Sequence, residues 1–187
     1  SYEDGENSII SFPEFLLLVL DVCTGGEQPA SHYQPDKLIE KFDALKTYFT
    51  AGEFYEKMLY YRLLLDYYTI RRDIKDGQGN YSLILKGPKD DSDKLKQYQS
   101  MLYVSTEAFY NWLKPYLRKL EQDELHSCAE MLAFLKKEDN ERHSILPARK
   151  DLSYKASGNI RYWFWRLDYY LWEQRSTFFN EEEQKIV

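Results

Sequence analysis

Cysteine, histidine and net positive charge are scarce in this 187-residue chain, and each scarcity removes a class of function. The two cysteines, Cys23 and Cys128, lie in apolar helical contexts, which suits buried thiols in a reducing compartment and excludes a disulfide framework. The three histidines, His32, His126 and His143, stand in unrelated contexts, so no metal-ligand spacing emerges and no metal is expected. Lys and Arg number 25 against 31 Asp and Glu, a formal charge of −6, so the surface as a whole is not the basic footprint that phosphate binding requires. The longest apolar run, Phe15 to Leu20, is too short to span a bilayer, and the residues before it are acidic, unlike a signal peptide. The cytoplasm is the expected location. GxGxxG, P-loop, GxSxG and HExxH patterns are missing. No catalytic residue and no cofactor site is therefore expected in this segment. No fixed-period repeat is present, which excludes a solenoid.

What the chain has in abundance is aromatic surface, 17% of residues and 17 tyrosines among them. Most segments carry helical periodicity. Ser11 is placed to cap a helix with Pro13 in its first turn, and Gly25 and Gly26 stop it. Leu38, Phe42, Leu45 and Phe49 form one apolar face. Phe54, Met58, Tyr61, Leu65 and Tyr68 form the next, on a helix running to Ile70 with an Arg62–Asp66 pair on its flank. Residues 74–92 break the pattern, and the β-like run Tyr81 to Leu85 predicts a loop with a small hairpin. Helices resume near Asp93 and split near Ser105, whose hydroxyl can cap the second. Pro115 is expected to kink or interrupt that helix. A helix ending in Lys136 and Lys137 and a polar loop over 138–159 follow.

The expected fold is all-α, an irregular bundle of about seven helices with one loop or hairpin insertion at 74–92. Residues 1–10 read as a linker, 11–175 as a single helical domain, and 176–187 as the start of a linker or further segment. The chain begins at Ser1 without methionine and ends on an apolar pair, so it is expected to be a piece of a longer protein.

The densest aromatic segment is "IRYWFWRLDYYLWE", residues 160–173. On a helical wheel Trp163, Phe164, Leu167, Tyr170 and Leu171 gather on one arc, which reads as the core face. The opposite arc holds Tyr162, Trp165, Tyr169 and Trp172 among Arg161, Arg166, Asp168 and Glu173. Arginine mixed with aromatics resembles the centre of a recognition surface, which makes Arg161, Tyr162, Trp165, Arg166, Tyr169 and Trp172 a candidate interaction face. Another segment of the same chain covering that arc is the alternative. A base-stacking platform fits poorly, because acidic residues interleave the rings. The basic stretch from Arg142 to Arg161 offers Arg142, Arg149, Lys150 and Lys155 as candidate phosphate contacts, with a solvated loop as the plainer reading. A carboxylate acid/base enzyme would need paired Asp or Glu residues in a deep cleft, which sequence alone does not reveal.

Five stretches in order, "FPEFLLLVLDV", "LIEKFDALKTYF", "FYEKMLYYRLLLDYYTIRRD", "QSMLYVSTEAFYNWL" and "IRYWFWRLDYYLWE", resemble the helical middle region of bacterial GmrSD-like proteins. These are modification-dependent restriction and phage-defence factors with a ParB-like nucleotide-binding domain marked by DGQQR and an HNH-type nuclease domain marked by EHxxP. "DGQGN", Asp76 to Asn80, lacks the second glutamine and the arginine of the first motif and lies after the helices that should follow it. "ERHSILP", Glu141 to Pro147, is off by one residue at both ends from the second and precedes the aromatic helix. No catalytic residue is carried over. The resemblance implies a non-catalytic interdomain scaffold whose partners are flanking domains of the same polypeptide, nucleotide-binding upstream and nuclease downstream. A DNA-binding helical module and a free-standing interaction domain are the alternatives.

Overall fold

The computed structural model describes residues 6–75, 80–89, 92–105, 107–144, 159–180 and 182. Eight helices and three short strands appear among them: β1 (Glu6–Ser8), α1 (Phe12–Cys23), α2 (Leu38–Leu45), α3 (Ala51–Tyr68), β2 (Ile70–Ile74), β3 (Tyr81–Leu85), α4 (Ser92–Val104), α5 (Phe109–Glu121), α6 (Cys128–Arg142), α7 (Asn159–Glu173) and α8 (Arg175–Phe178). The protein is mostly helical, and the strands make one antiparallel sheet in the order β1-β2-β3.

Helix α1 occupies the centre because it is apolar on nearly every side, and Leu17, Leu18, Val19 and Leu20 are all fully buried. Its start follows from Ser11 and Glu14, which form a reciprocal capping box that satisfies two end N–H groups. It stops where Gly25 and Gly26 take positive φ of 103° and 78°, letting the Gly26 N–H return to the Asp21 carbonyl at 2.8 Å. Thr50 with Glu53 and Ser127 with Glu130 build the same box at α3 and α6. Helices α3 to α6 each turn a stripe inward: Phe54, Tyr61 and Leu65 from α3, Leu95, Tyr98 and Leu102 from α4, Trp112, Tyr116 and Leu117 from α5, Met131 and Leu135 from α6. The expected face of α2, Leu38, Phe42, Leu45 and Phe49, packs half-buried against this core.

Four local expectations are corrected. Helix α3 ends at Tyr68 rather than Ile70, and β2 takes over as the partner strand of Tyr81–Leu85. The switch is held by a fully buried amide: Gln99 of α4 accepts from the Ile70 N–H at 2.9 Å and donates to the Tyr68 carbonyl at 3.0 Å. Residues 6–8, read as linker, form β1 against β2, with Asn7 opposite Arg72. Ser105 caps no helix; its hydroxyl turns back to the Leu102 carbonyl at 3.0 Å, and Ala108 stands at the start of α5 without a side-chain cap.

The fourth correction concerns Pro115, which does not interrupt α5: the helix runs from Phe109 to Glu121 with the proline inside. Proline has no N–H, so the carbonyl four residues earlier, on Asn111, loses its helical donor. The Arg142 guanidinium supplies one instead, donating to the Asn111 oxygen at 2.6 Å from the end of α6. That contact exists because α6 continues five residues past Lys137 to Arg142, through residues that read as polar loop.

Candidate interaction site around α7

Two buried carboxylates anchor the helices, and the first shows the pattern that the second repeats beside α7. Asp21 on α1 is fully buried; Tyr33 donates to it, Lys114 of α5 reaches it at 3.0 Å, and the Gln28 N–H bonds its other oxygen at 2.9 Å. Burial and the bond to Asp21 push the Tyr33 phenol well above its usual range. The Lys114 ammonium also lies 5.5 Å over the Tyr33 ring. Carboxylate, cation and aromatic ring thus close on one another.

Asp139 on α6 is the second. It is fully buried, and one oxygen accepts from Tyr98 of α4 and Tyr162 of α7, both at 2.7 Å. Arg166 donates to the Tyr162 hydroxyl at 2.8 Å, lies 3.8 Å from the same carboxylate, and bonds the Asn140 side chain. Its guanidinium sits over the rings of Tyr162 and Trp163 at 5.8 and 5.3 Å. His143 stacks on Tyr162 at 3.9 Å, with Nδ1 3.2 Å from Asp139 and Nε2 3.6 Å from Glu107. Burial, then Asp139, raises the phenols of Tyr98 and Tyr162 far above their usual range, so both remain donors. A buried carboxylate is tolerated because hydrogen bonds and two arginines compensate its lost hydration.

One turn further on, Tyr169 donates to Glu173 at 3.1 Å, Lys136 pairs with Glu173 at 2.5 Å, and the Lys136 ammonium lies 5.2 Å over the Tyr169 ring. This is the same triad again.

These contacts reverse the phase assigned to α7. Tyr162 and Tyr169 are 4% and 7% exposed, buried against α4 and α6. Phe164, Leu167 and Tyr170, read as core, are 42%, 49% and 51% exposed, and Trp163 and Leu171 are half-buried. Hydropathy alone selects the more apolar arc. The fold selects the arc whose phenols and guanidinium reach Asp139 and Glu173. Of the six residues of the candidate interaction face, Tyr162, Arg166 and Tyr169 are occupied within the chain, and Trp172 is half-buried beneath Arg175, which lies 4.6 Å over its ring. Arg161 and Trp165 remain exposed.

The basic residues fare differently from one another. Arg142 is committed to Asn111 and lies within 4.0 Å of Glu107, Glu138 and Asp139, so its guanidinium is not free to meet a phosphate. Arg149, Lys150 and Lys155 lie outside the described residues, as do Asp76 to Gly79 of "DGQGN" and Ile145 to Pro147 of "ERHSILP". Asn80 closes the hairpin by accepting the Lys75 N–H at 2.9 Å. Among the described residues no group of His, Cys, Asp and Glu is arranged to hold a metal, and no helix is long and apolar enough to cross a membrane.

Sequence reasoning missed Asp139 and placed Asp168 on the arc without including it in the interaction face. Nothing marks Asp139 within "KKEDNER". Asp168 carries a weak signal, since its spacing of three from Trp165 puts both on one helical face. A second exposed stripe, Tyr55, Leu59, Leu63 and Tyr67, follows the outer side of α3 at spacings of four, with Leu59 and Leu63 63% and 68% exposed. The chain matches no family model, no curated protein and no solved structure.

Proposed function

We propose that this chain is a non-catalytic, cytoplasmic helical interaction module, and that it works as the scaffold between the nucleotide-binding and nuclease domains of a GmrSD-like DNA-targeting defence protein. The observation that carries the interaction reading is the pair of exposed apolar helix faces, the outer arc of α7 and the stripe along α3, on helices whose other sides are packed into the core. Contiguous apolar surface of this kind marks contact with another protein surface. The buried carboxylates support a structural role, because each is engaged by tyrosine hydroxyls and cations rather than opened to a cleft. The GmrSD-like parentage rests on the ordered resemblance of the five helical stretches. The nucleic-acid alternative loses Arg142, whose guanidinium is bound to the Asn111 carbonyl.

The test uses the gene with its native flanks. An upstream DGQQR and a downstream EHxxP in frame are expected. In that full polypeptide, Leu167→Asp on the exposed arc is expected to reduce nucleotide-dependent DNA cleavage while leaving nucleotide binding and helical content unchanged. Flanks that encode neither motif would remove the scaffold reading. Unaltered cleavage in Leu167→Asp and in Leu63→Asp would remove the role assigned to these faces.

A further inference from the structure

A groove of about 330 Å³ runs between α4 and α7, where Trp165, Asp168 and Trp172 lie in one wall and Gln97, Ser100 and Met101 in the other. Its chemistry is read best against the rest of the chain. Three times the fold joins a carboxylate, a cation and an aromatic ring: Asp21, Lys114 and Tyr33; Asp139, Arg166 and Tyr162; Glu173, Lys136 and Tyr169. Along the same side of α7, Tyr162, Tyr169 and Trp172 each carry a cation from this chain, as does Trp163 at its border. Trp165 carries none among the described residues, and Asp168, one turn away, has no ion pair and no hydrogen bond there. On that side of α7 itself the cation is Arg161, two turns from Asp168 and about 10 Å along the axis; Arg175, just past the helix, lies over Trp172, and neither is ion-paired with Asp168 among the described residues. Among the described residues, Trp165 and Asp168 therefore supply the ring and the carboxylate of the recurring triad with no cation between them, while Arg175 covers Trp172 at the far end of the groove.

We infer that this groove binds an arginine side chain presented by a partner polypeptide, with the guanidinium stacked on Trp165 and paired to Asp168. Among the described residues, both tryptophans that carry a cation carry arginine, Arg166 on Trp163 and Arg175 on Trp172, whereas the lysines lie over tyrosines. A planar guanidinium can stack on an indole and donate to a carboxylate in the same pose, which an ammonium does less well. A nucleic acid fits poorly, because phosphates would meet the unpaired Asp168 on a chain of charge −6. Free arginine would bring its own α-carboxylate to the same acidic surface, whereas a blocked peptide unit would not. The exposed Gln97 amide can bond the partner's main chain. The inference rests on reading α7 as a recognition helix and is independent of the GmrSD-like parentage.

The experiment uses this chain alone, labelled with ¹⁵N, and follows the Trp165 indole N–H resonance, assigned by its loss in Trp165→Leu. The probe is acetyl-Gly-Arg-Gly-amide, compared with its citrulline counterpart, free arginine and a single-stranded oligonucleotide. A saturable shift with the arginine peptide is expected, weakened about tenfold or more by citrulline and by Asp168→Asn, because the charge-assisted contacts go with the charge. Arg161→Gln should leave the affinity unchanged or raise it. A citrulline peptide that binds equally well, or an arginine peptide that gives no saturable shift, would overturn the inference. So would free arginine binding as tightly as the peptide, or the oligonucleotide shifting the resonance in its place. Asp168→Asn keeps the groove's shape and leaves the fold intact, so its result is decisive even if the Trp165 variant is destabilised.

Discussion

Replacing Arg142 by alanine and Pro115 by alanine, singly and together, measures the bond that joins the end of α6 to the middle of α5. In the native protein Pro115 leaves the Asn111 carbonyl without its helical donor, and Arg142 donates to it at 2.6 Å. Losing a hydrogen bond to a charged group costs about 1.5–3 kcal/mol. Arg142→Ala also strips a cation from beside Glu107 and Asp139, so about 3 kcal/mol in total is expected, or a fall in Tm of about 6–12 °C for a chain of this size. With Pro115→Ala in place, the new N–H restores the helical bond to Asn111, and the carbonyl no longer depends on the guanidinium. The same Arg142→Ala change should then cost about 1.5 kcal/mol less, well outside the roughly 0.5 kcal/mol scatter of independent sites. Urea denaturation followed by circular dichroism on the four proteins gives the coupling directly. Additive effects would refute this account of why α5 tolerates a proline in its interior.

Asp139→Ala should destabilise the protein by about 4 kcal/mol, since it leaves two tyrosine hydroxyls and a guanidinium facing a dry space, while Asp139→Asn should cost about half as much; denaturant titration reads both, and a loss below about 1 kcal/mol would contradict the role of the network. His32 is buried, with Nε2 2.8 Å from the Leu17 carbonyl and Nδ1 without a hydrogen-bond partner among the described residues, and burial holds its pKa below the usual value near 6.5. The unfolded chain therefore takes up the proton first, so the contribution of neutral His32 is complete above about 6.5 and is lost as the pH falls below it. His32→Gln should flatten the decline in stability between neutral pH and pH 5, and an unchanged slope would count against this. Thr50→Ala and Ser127→Ala should each cost about 1 kcal/mol through loss of a capping box. Leu59→Gln and Leu63→Gln, on the exposed stripe of α3, should stay within about 0.5 kcal/mol of the native stability; a larger loss would mean that the stripe is covered.

Helix starts, stops and stripes are legible wherever the deciding interaction is local. Ser11 with Glu14 and the Gly25–Gly26 pair act within one turn of the helix they bound, so α1 is where its sequence puts it. The inward faces of α2 and α3 are legible too, since Leu38, Phe42, Leu45 and Phe49, and Phe54, Met58, Tyr61, Leu65 and Tyr68, repeat at helical spacing and pack on the core. The switch from α3 to β2 is not legible, for Thr69 and Ile70 continue the helical pattern and the deciding group, Gln99, is 29 residues from Ile70. Ser105 fails as a cap for a related reason: a hydroxyl can serve either the helix behind it or the one ahead, and here it serves the one behind.

The aromatic helix shows where local reading ends. Composition settles that residues 159–173 form a helix with aromatics on every side, and hydropathy then favours Phe164, Leu167 and Tyr170 for the interior. The tertiary structure reverses that choice, because a tyrosine or arginine can enter a core when a carboxylate on another helix completes its hydrogen bonds, and no periodicity encodes where that carboxylate will stand. Asp139 of α6 turns Tyr162 and Arg166 inward, Lys136 of α6 holds Tyr169 through Glu173, and Trp165 and Asp168 are left at the rim of a groove. Local order follows from near neighbours in the chain. The phase of α7, and with it the surface offered to a partner, follows from bonds between residues 23 to 41 positions apart.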